Sequence, residues 1–297
     1  MKVSVLMPAY NHESTISQAI ESFLSQQCGF ETELLIGDDA SADKTWFIAN
    51  EFSQQFPDKI KLITHRSNFG LLKNYKSLTD IAKGEYFAIL ESDDYWTDNQ
   101  KLQKQIDFLD SNPDAGISFT RWYRLKNNGL TLRGEDIVRM MKKYPDSLYE
   151  RFLLRNILKS PTVVFRRSLY EKYCNIDDYV RLDFNTFDYP VWLSLIRHSG
   201  VHFLNEATAA YRYLETSISN NRDLTKKIVF EDKISEIRRY IISLYGSGNL
   251  SLFRISNRET LVKARHAFRS KKVITSVTIL MGGFFGNCRR ALSSAVH

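Results

Sequence analysis

A rhythm in the first 120 residues limits the fold more than any other feature. Short, continuously apolar runs occur at Val3–Met7, Glu33–Gly37, Lys61–Thr64, Tyr86–Leu90 and Gly116–Phe119. Helix-periodic stretches separate them at Ser14–Gln26, Asp43–Phe56, Leu71–Ala82 and Lys101–Asp110. A run with no polar face is a strand covered on both sides, and a helix between two such runs is a crossover, so the pattern predicts βαβ units and a parallel sheet. Ligands of such sheets sit beyond the carboxyl ends of the strands. The residues to inspect are therefore Pro8-Ala9-Tyr10-Asn11, Asp38-Asp39-Ala40-Ser41, Asn68-Phe69-Gly70 and Glu91-Ser92-Asp93-Asp94.

The last group stands out. In ILESDDYW, three carboxylates occupy four positions at the end of a strand that reads as central and buried. At about 4 Å and an effective dielectric near 20, one such repulsion costs about 4 kcal/mol. A divalent cation relieves it, and oxygen-only ligands select Mg2+ or Mn2+. Such ions take one or two carboxylates and complete their shell with water and phosphate oxygens, which suits a metal shared with a diphosphate. The chain has neither a GxxxxGK[ST] loop nor a GxGxxG turn after its first strand, which argues against a Walker-type ATPase and a dinucleotide dehydrogenase. The turn at Asp38-Asp39 is then free to accept hydrogen bonds from a base or ribose. A structural reading competes: Asp38, Ser41 and Asp43 are helix-capping residues, and a DD pair is commonly a solvated turn.

Beyond Thr120 the pattern loosens. Asn127-Asn128-Gly129 marks a turn within a stretch that reads as a hairpin or a mobile loop over the site. A helix is expected at Ser147–Arg155, a strand at Pro161–Phe165, a helix from Pro190, and strands at Val201–Leu204 and Thr208–Tyr213. Residues 224–270 read as helical, broken at Gly246-Ser247-Gly248. The net charge of +7 is concentrated here: residues 222–297 hold 15 basic and 5 acidic groups, the rest of the chain 26 and 29. The basic amphipathic run at 259–272 leads into fourteen mostly uncharged residues at 273–286, then Arg289 and Arg290. Fourteen residues are too few for a bilayer, which needs about 20. Two readings remain for 259–290: a membrane-interface segment with Phe284 and Phe285 turned inward, or a terminal helix packed on the preceding domain. The basic residues follow no nucleic-acid-binding motif, so no nucleic-acid partner is expected. Cys28, Cys174 and Cys288 form no CxxC pair, which indicates a reducing compartment and no zinc site. The start, MKVSVLMPAYN, reads as a strand and not as a signal peptide.

Taken in order, VSVLMPAYNHESTISQAIESFLSQ, LLIGDDASADKT, NFGLLKN, GEYFAILESDDYW and FDYPVWLSL resemble a family 2 glycosyltransferase of the GT-A fold, across residues 2–220. The resemblance implies an α/β fold, a Rossmann-like nucleotide-binding α/β/α sandwich with a mostly parallel central sheet. It implies a catalytic domain over 1–221 and a basic helical C-terminal extension over 222–297. The implied activity is metal-dependent, inverting transfer of a hexosyl or N-acetylhexosaminyl group. The donor is a nucleotide-sugar, commonly UDP-linked, used with Mn2+ or Mg2+. The acceptor is a hydroxyl of a saccharide or lipid-linked saccharide in surface polysaccharide or lipopolysaccharide synthesis, and the enzyme is expected in the cytoplasm or peripherally on the cytoplasmic face of the inner membrane.

By the same resemblance, Pro8, Tyr10 and Asn11 match the first nucleotide-contacting loop. Asp39 matches the aspartate that reads uracil or ribose, with Asp38 beside it. Asp93 and Asp94 match the metal and ribose aspartates of the DxD-type motif. Glu91 replaces the first Asp of that motif, and its extra methylene leaves direct metal ligation, a water-mediated contact and a donor-sugar contact all open. Asp188 matches the general base before a Trp-containing helix, although Phe187 stands where the family often has Glu; Asp183 is the fallback. Asp188 is equally a helix N-terminal residue with Pro190 at the first helical position. Trp192 faces either the acceptor or the core. Tyr211-Arg212 with Ser217-Ile218-Ser219 resembles the segment that closes over the donor diphosphate. Two other functions fit the same architecture. One is a non-catalytic nucleotide-sugar-binding or scaffold protein. The other is a sugar nucleotidyltransferase, which usually opens with a Gly-rich basic loop where this chain has PAYNHE.

Overall fold

The structure is a computed structural model that describes residues 1–127, 129–144, 147–213, 223–269 and 275–283. The chain divides into two compact units, Met1–Pro145 with Ile157–Arg212, and Asp146–Asn156 with Tyr213–His297.

The first unit is built as the apolar rhythm requires. Its strands β1 (Val3–Ala9), β2 (Thr32–Asp38), β3 (Ile60–Thr64) and β4 (Tyr86–Ile89) lie parallel in the order β3-β2-β1-β4. They are joined by helices α1 (Ile16–Leu24), α2 (Thr45–Gln55) and α3 (Leu71–Ile81). After β4 come the two-residue β5 (Tyr95–Trp96), α4 (Lys101–Ser111), β6 (Ala115–Lys126), β7 (Gly129–Arg133) and α5 (Glu135–Lys143). The sheet continues from β4 through β8 (Val164–Arg166), β6 and β9 (Gly200–Arg212) to β5, making nine strands with β7 paired to β6. Here β8 is antiparallel to both its neighbours, while β6 and β9 run parallel. This mixed α/β architecture with a mostly parallel sheet is the expected fold class. β1 and β4 are apolar on both faces because helices cover both, and Val3, Val5, Leu6, Phe87, Ala88 and Ile89 are buried.

Chain order turns back at β1: β2 and β3 lie on one side and β4 on the other. The crevice between the carboxyl ends of β1 and β4 is therefore the switch point where sheets of this type bind ligands.

Several boundaries differ from the sequence reading. Of the two readings of the stretch after Thr120, the structure shows the hairpin, with β6 running on into β7 where Lys126 pairs with Gly129; the helix α5 that follows was not expected. The hairpin's exposed outer face, Leu130 and Leu132 included, erased the alternation that marks a strand. The two strands expected at Val201–Leu204 and Thr208–Tyr213 are one strand, β9. Its pairing with β6 jumps from Thr120–Leu204 to Arg121–Ala207, so the polar Asn205-Glu206 forms a bulge within the strand. Pro161 lies in a single 3-10 turn at Ser160–Thr162, and β8 starts only at Val164. Helices α7 (Arg167–Tyr173), α8 (Ile176–Arg181) and α9 (Asp188–His198) follow, and α9 begins two residues before Pro190. Pro190 in the third helical position is tolerated because the first-turn N–H groups have no intrahelical acceptor.

The second unit contains α6 (Leu148–Leu154), α10 (Leu224–Tyr245) and α11 (Leu252–Arg269), followed by a helical stretch at 275–283. The break between α10 and α11 falls at Gly246 and Gly248, both at positive φ. Among the described residues, no helix is long and apolar enough to cross a membrane.

One buried charge in the first unit is out of keeping with its surroundings. Lys101, fully buried at the start of α4, donates to Gln105 Oε1 at 2.7 Å and lies 4.8 Å from the Trp96 ring centroid. Burial pulls its pKa down to about 7. The unfolded chain therefore binds more protons at this site between pH 7 and the ordinary lysine value, so the site's contribution to stability rises with pH over that window. Replacing Lys101 with Met is expected to stabilise the protein at pH 7. The gain over wild type should shrink as pH approaches 10 in paired urea titrations.

Candidate active site

The loop after β4 supplies the acidic group. Its three carboxylates, from Glu91, Asp93 and Asp94, place ligand oxygens within 4.8 Å of one another. Asp94 is buried, and Glu91 and Asp93 are half-buried. Local structure forces this crowding: Asp94 N–H donates back to Glu91 O at 2.9 Å, closing a tight turn. Arg212 at the end of β9 holds the turn from the other side. Its N–H donates to Asp94 Oδ1 at 2.7 Å, and its Nε donates to Asp93 O at 2.8 Å. Its Nη2 reaches Gln18 Oε1 on α1 at 2.8 Å.

The electrostatic consequence is large. Burial, then Asp93 and Asp188, pushes Glu91 up to about 8, against the pull of Lys159 and a hydrogen bond from the Tyr75 hydroxyl. Asp94 is driven well above the usual carboxylate range by burial and by Asp93 and Glu91. Burial also raises Asp93, with His12 and Arg212 opposing. Asp94 Oδ2 is buried without a hydrogen-bond partner. An orphaned buried oxygen costs about 1–3 kcal/mol. Three oxygen donors within reach of one point, one of them unsatisfied, fit a hard divalent cation.

The loop after β1 docks against this turn. The hydroxyl of the buried Ser92 donates to Pro8 O at 3.0 Å and lies 2.7 Å from His12 Nδ1. With its proton used on Pro8, Ser92 Oγ accepts from His12, which assigns the imidazole proton to Nδ1. Pro8 itself is buried inside β1, paired with Gly37, past the last β1–β4 pair. Tyr10 is exposed, and Asn11, at φ 55°, spans to the loop after β2. Its N–H donates to Ser41 Oγ at 2.9 Å and its Oδ1 accepts from Ala42 N at 2.8 Å.

Asp38 and Asp39 close β2, and both are buried. The Asp39 carboxylate accepts from Phe69 N at 2.7 Å and Gly70 N at 2.9 Å, where Gly70 at φ 87° turns the chain into α3. Asp38 Oδ2 accepts from Ser41 N at 3.3 Å, while its Oδ1 is buried without a partner. The cap expected for α2 comes from Asp43, whose Oδ1 accepts from Thr45 N at 2.9 Å. The nucleotide-reading role expected of Asp39 thus falls on a carboxylate already anchoring α3, with Asp38 offering the open acceptor beside it.

Asp188 begins α9, half-buried between the buried Phe187 and Tyr189, and hydrogen-bonds Thr186 Oγ1. Its charge acts on Glu91 and Tyr75, so it belongs to the acidic group although it lies 94 positions beyond Asp94 in the chain. Asp183 sits in an exposed turn at φ 52°. Trp192 is fully buried, edge-on to Phe165 at 5.5 Å, and faces the core. Ser217, Ile218 and Ser219 lie outside the described residues, as do Phe284, Phe285, Arg289 and Arg290.

Three residues that the sequence reading passed over join the site. Tyr75 on α3 lies beside Glu91, whose charge acts on it, and stacks face to face on Phe187, with ring centroids 4.0 Å apart and planes at 10°. Lys159 lies 4.1 Å from the Tyr211 ring centroid, and its charge acts on Glu91 and Asp94. His12 is the third. No local pattern flags them, because each is defined by a partner on a distant segment.

Fold and site together define an α/β class with an acidic cluster at the sheet switch point. A mannosyltransferase from Pyrobaculum calidifontis, solved with GDP-Man and Mn2+, shares this fold at a TM-score of 0.63 and 14% identity, the match covering 99% of this chain and 79% of that one. The sequence profile of glycosyl transferase family 2 matches residues 4–174, and the chain belongs to that family. Among curated relatives, uncharacterized protein Mb1547 of Mycobacterium bovis is 31% identical over 214 residues, which is 71% of this chain but only 58% of that protein. The Escherichia coli UDP-Glc:alpha-D-GlcNAc-diphosphoundecaprenol beta-1,3-glucosyltransferase WfgD is 33% identical over 223 residues, 74% of this chain and 80% of the relative.

The raised carboxylates set the sign of a pH effect. The folded apoprotein holds protons at Glu91 that the unfolded chain has released above its ordinary value, so this site's contribution to stability falls from about pH 5 to pH 8. A cation competes with those protons, so its binding strengthens over the same window. Added Mn2+ is expected to raise Tm more at pH 8 than at pH 6 in a thermal-shift series. Arg212→Ala, which releases the turn, should weaken Mn2+ binding about 10–100-fold by titration calorimetry.

Proposed function

We propose that the protein is a metal-dependent, inverting glycosyltransferase that moves a sugar from a UDP-linked donor to a hydroxyl of a saccharide or lipid-linked saccharide. The observation that carries this reading is the convergence of Glu91, Asp93 and Asp94 at the β1–β4 switch point with Asp188 in electrostatic reach. The activity named for the WfgD relative supports the UDP donor, a lipid-linked acceptor and a hexosyl group. Free Cys28 and Cys174 agree with a cytoplasmic setting. The catalytic residues all fall within 1–221, with 222–297 as an extension.

Asp93 and Asp94 would hold Mn2+ or Mg2+, with Glu91 behind them. When bound, the ion neutralises charge on the leaving diphosphate. Tyr10 and Asn11, with the open oxygen of Asp38 and the remaining lone pairs of Asp39, line the place for base and ribose. Asp188 accepts the proton of the acceptor hydroxyl as that oxygen bonds to the anomeric carbon and the bond to the diphosphate breaks. Attack opposite the leaving group inverts the anomeric centre.

Tyr75 ties this machinery together. Its hydroxyl restrains Glu91, and its ring fixes Phe187, the residue before the base. The Glu-for-Asp change therefore reads as a longer arm that sets the carboxyl beside Tyr75 as well as beside the metal position.

Asp188→Asn should abolish transfer from UDP-glucose while the donor, with Mn2+, still raises Tm. Near wild-type turnover in that variant would reassign the base. Tyr75→Phe, which keeps the stack and removes the hydroxyl, should lower kcat about tenfold or more with little change in donor binding. A panel of nucleotide-sugars with Mn2+ identifies the donor, since ligand at 100 times its Kd adds about 2.7 kcal/mol of stability. If none shifts Tm and none is hydrolysed, the protein is a non-catalytic scaffold.

A further inference from the structure

The helical unit has a surface that the transfer reaction does not use. Its acidic residues are paired with basic ones or sit at a cap. Glu259 pairs with Arg238, Asp232 with Lys263, and Glu231 with His266, all between α10 and α11. Glu236 pairs with Lys233 within α10, and Asp223 caps that helix by accepting from Lys226 N. Every acidic residue of 222–297 is thus engaged. Arg254, Arg258 and Arg265 of α11 form no ion pair among the described residues.

These arginines share one helical face with two large apolar side chains. Arg254, Arg258, Leu261, Arg265 and Phe268 recur at i, i+4, i+7, i+11 and i+14, one stripe of an α-helix about 21 Å long. Leu261 is 55% and Phe268 63% exposed, and Arg254 and Arg265 are exposed as well. The opposite side of α11, with Ile255, Ala264 and Ala267, is buried. The positive charges are close enough to act on one another: burial, and then Arg265, Arg155 and Arg238, lowers the pKa of Arg258. Next to α11, the helical stretch at 275–283 adds exposed Val277, Leu280 and Met281 and is tied to α11 by Ser276 Oγ donating to Ala264 O at 3.0 Å.

We propose that this face of α11 docks on the surface of an anionic lipid bilayer, its arginines on the headgroup phosphates and Leu261 and Phe268 in the acyl boundary. Charge decides among the occupants. Residues 284–297 contain Arg289 and Arg290 and no acidic group, so they do not complement the stripe. A second copy of the same face repels it. A fluid anionic surface with an apolar layer beneath matches both the arginines and the apolar side chains at once. The inference rests on the helical unit alone and holds whether or not the transferase reading does.

The test is flotation of the full-length protein with vesicles of phosphatidylcholine, with and without phosphatidylglycerol, at low and high salt. Binding is expected only with phosphatidylglycerol and should weaken with salt. R254Q/R258Q/R265Q should lower partitioning roughly 100-fold, and L261S/F268S about tenfold or more even at low salt. Phe268→Trp gives a readout that needs no loss of binding: its emission, as a difference from wild type, should shift to the blue on anionic vesicles. Equal binding to both lipid compositions, wild-type partitioning by the triple variant, or no spectral shift overturns the proposal. So does salt-sensitive binding to an oligonucleotide without binding to vesicles.

Discussion

Mutual repulsion among Glu91, Asp93 and Asp94 is the constraint around which the first unit is arranged. Left alone, three carboxylates in one tight turn would splay toward water. The turn is instead held by groups from across the chain: Arg212 at the end of β9, Lys159 before β8, His12 after β1, which meets the turn's own Ser92, and Tyr75 on α3. None of these removes the repulsion: beyond the effect of burial, Asp93 still raises Glu91, and Asp93 and Glu91 still raise Asp94. They fix its geometry, leaving a site that gains stability when a cation arrives.

The other pair of carboxylates works differently. Asp39 receives two backbone N–H groups where α3 begins, so its charge is matched by the helix's free donors. From that anchored end, α3 carries Tyr75 along the sheet to Glu91 and to the stack on Phe187. One helix thereby links the carboxylates at β2, the acidic turn at β4 and the residue preceding Asp188. Glu91 and Phe187, the two departures from the motif that the sequence resembles, both lie beside Tyr75.

In the helical unit the same economy of charge leads elsewhere. Its acidic residues are drawn into pairs between and within helices or into a cap, which leaves arginine in excess on one face of α11. The net positive charge of the C-terminal quarter is thus a localised feature, interleaved with apolar side chains at helical spacing.

The parallel strands and their crossover helices were legible in the sequence because burial on both faces writes continuous apolar runs, and that pattern is local. The acidic turn was legible for a related reason: crowded like charges at a strand end have few structural explanations. The reading failed where a segment's environment came from distant partners. The helix α5 after the β6–β7 hairpin went unread, the bulge at Asn205-Glu206 split one strand into two, and Pro190 sits inside α9 and not at its start. Likewise Tyr75, Lys159 and His12 carry no local signature. By itself the sequence determined the sheet, the switch point and which carboxylates gather there, since these follow from hydrophobic periodicity and chain order. Only the tertiary structure decided which residues restrain those carboxylates, because a hydrogen bond or a stacked ring depends on where two remote segments meet.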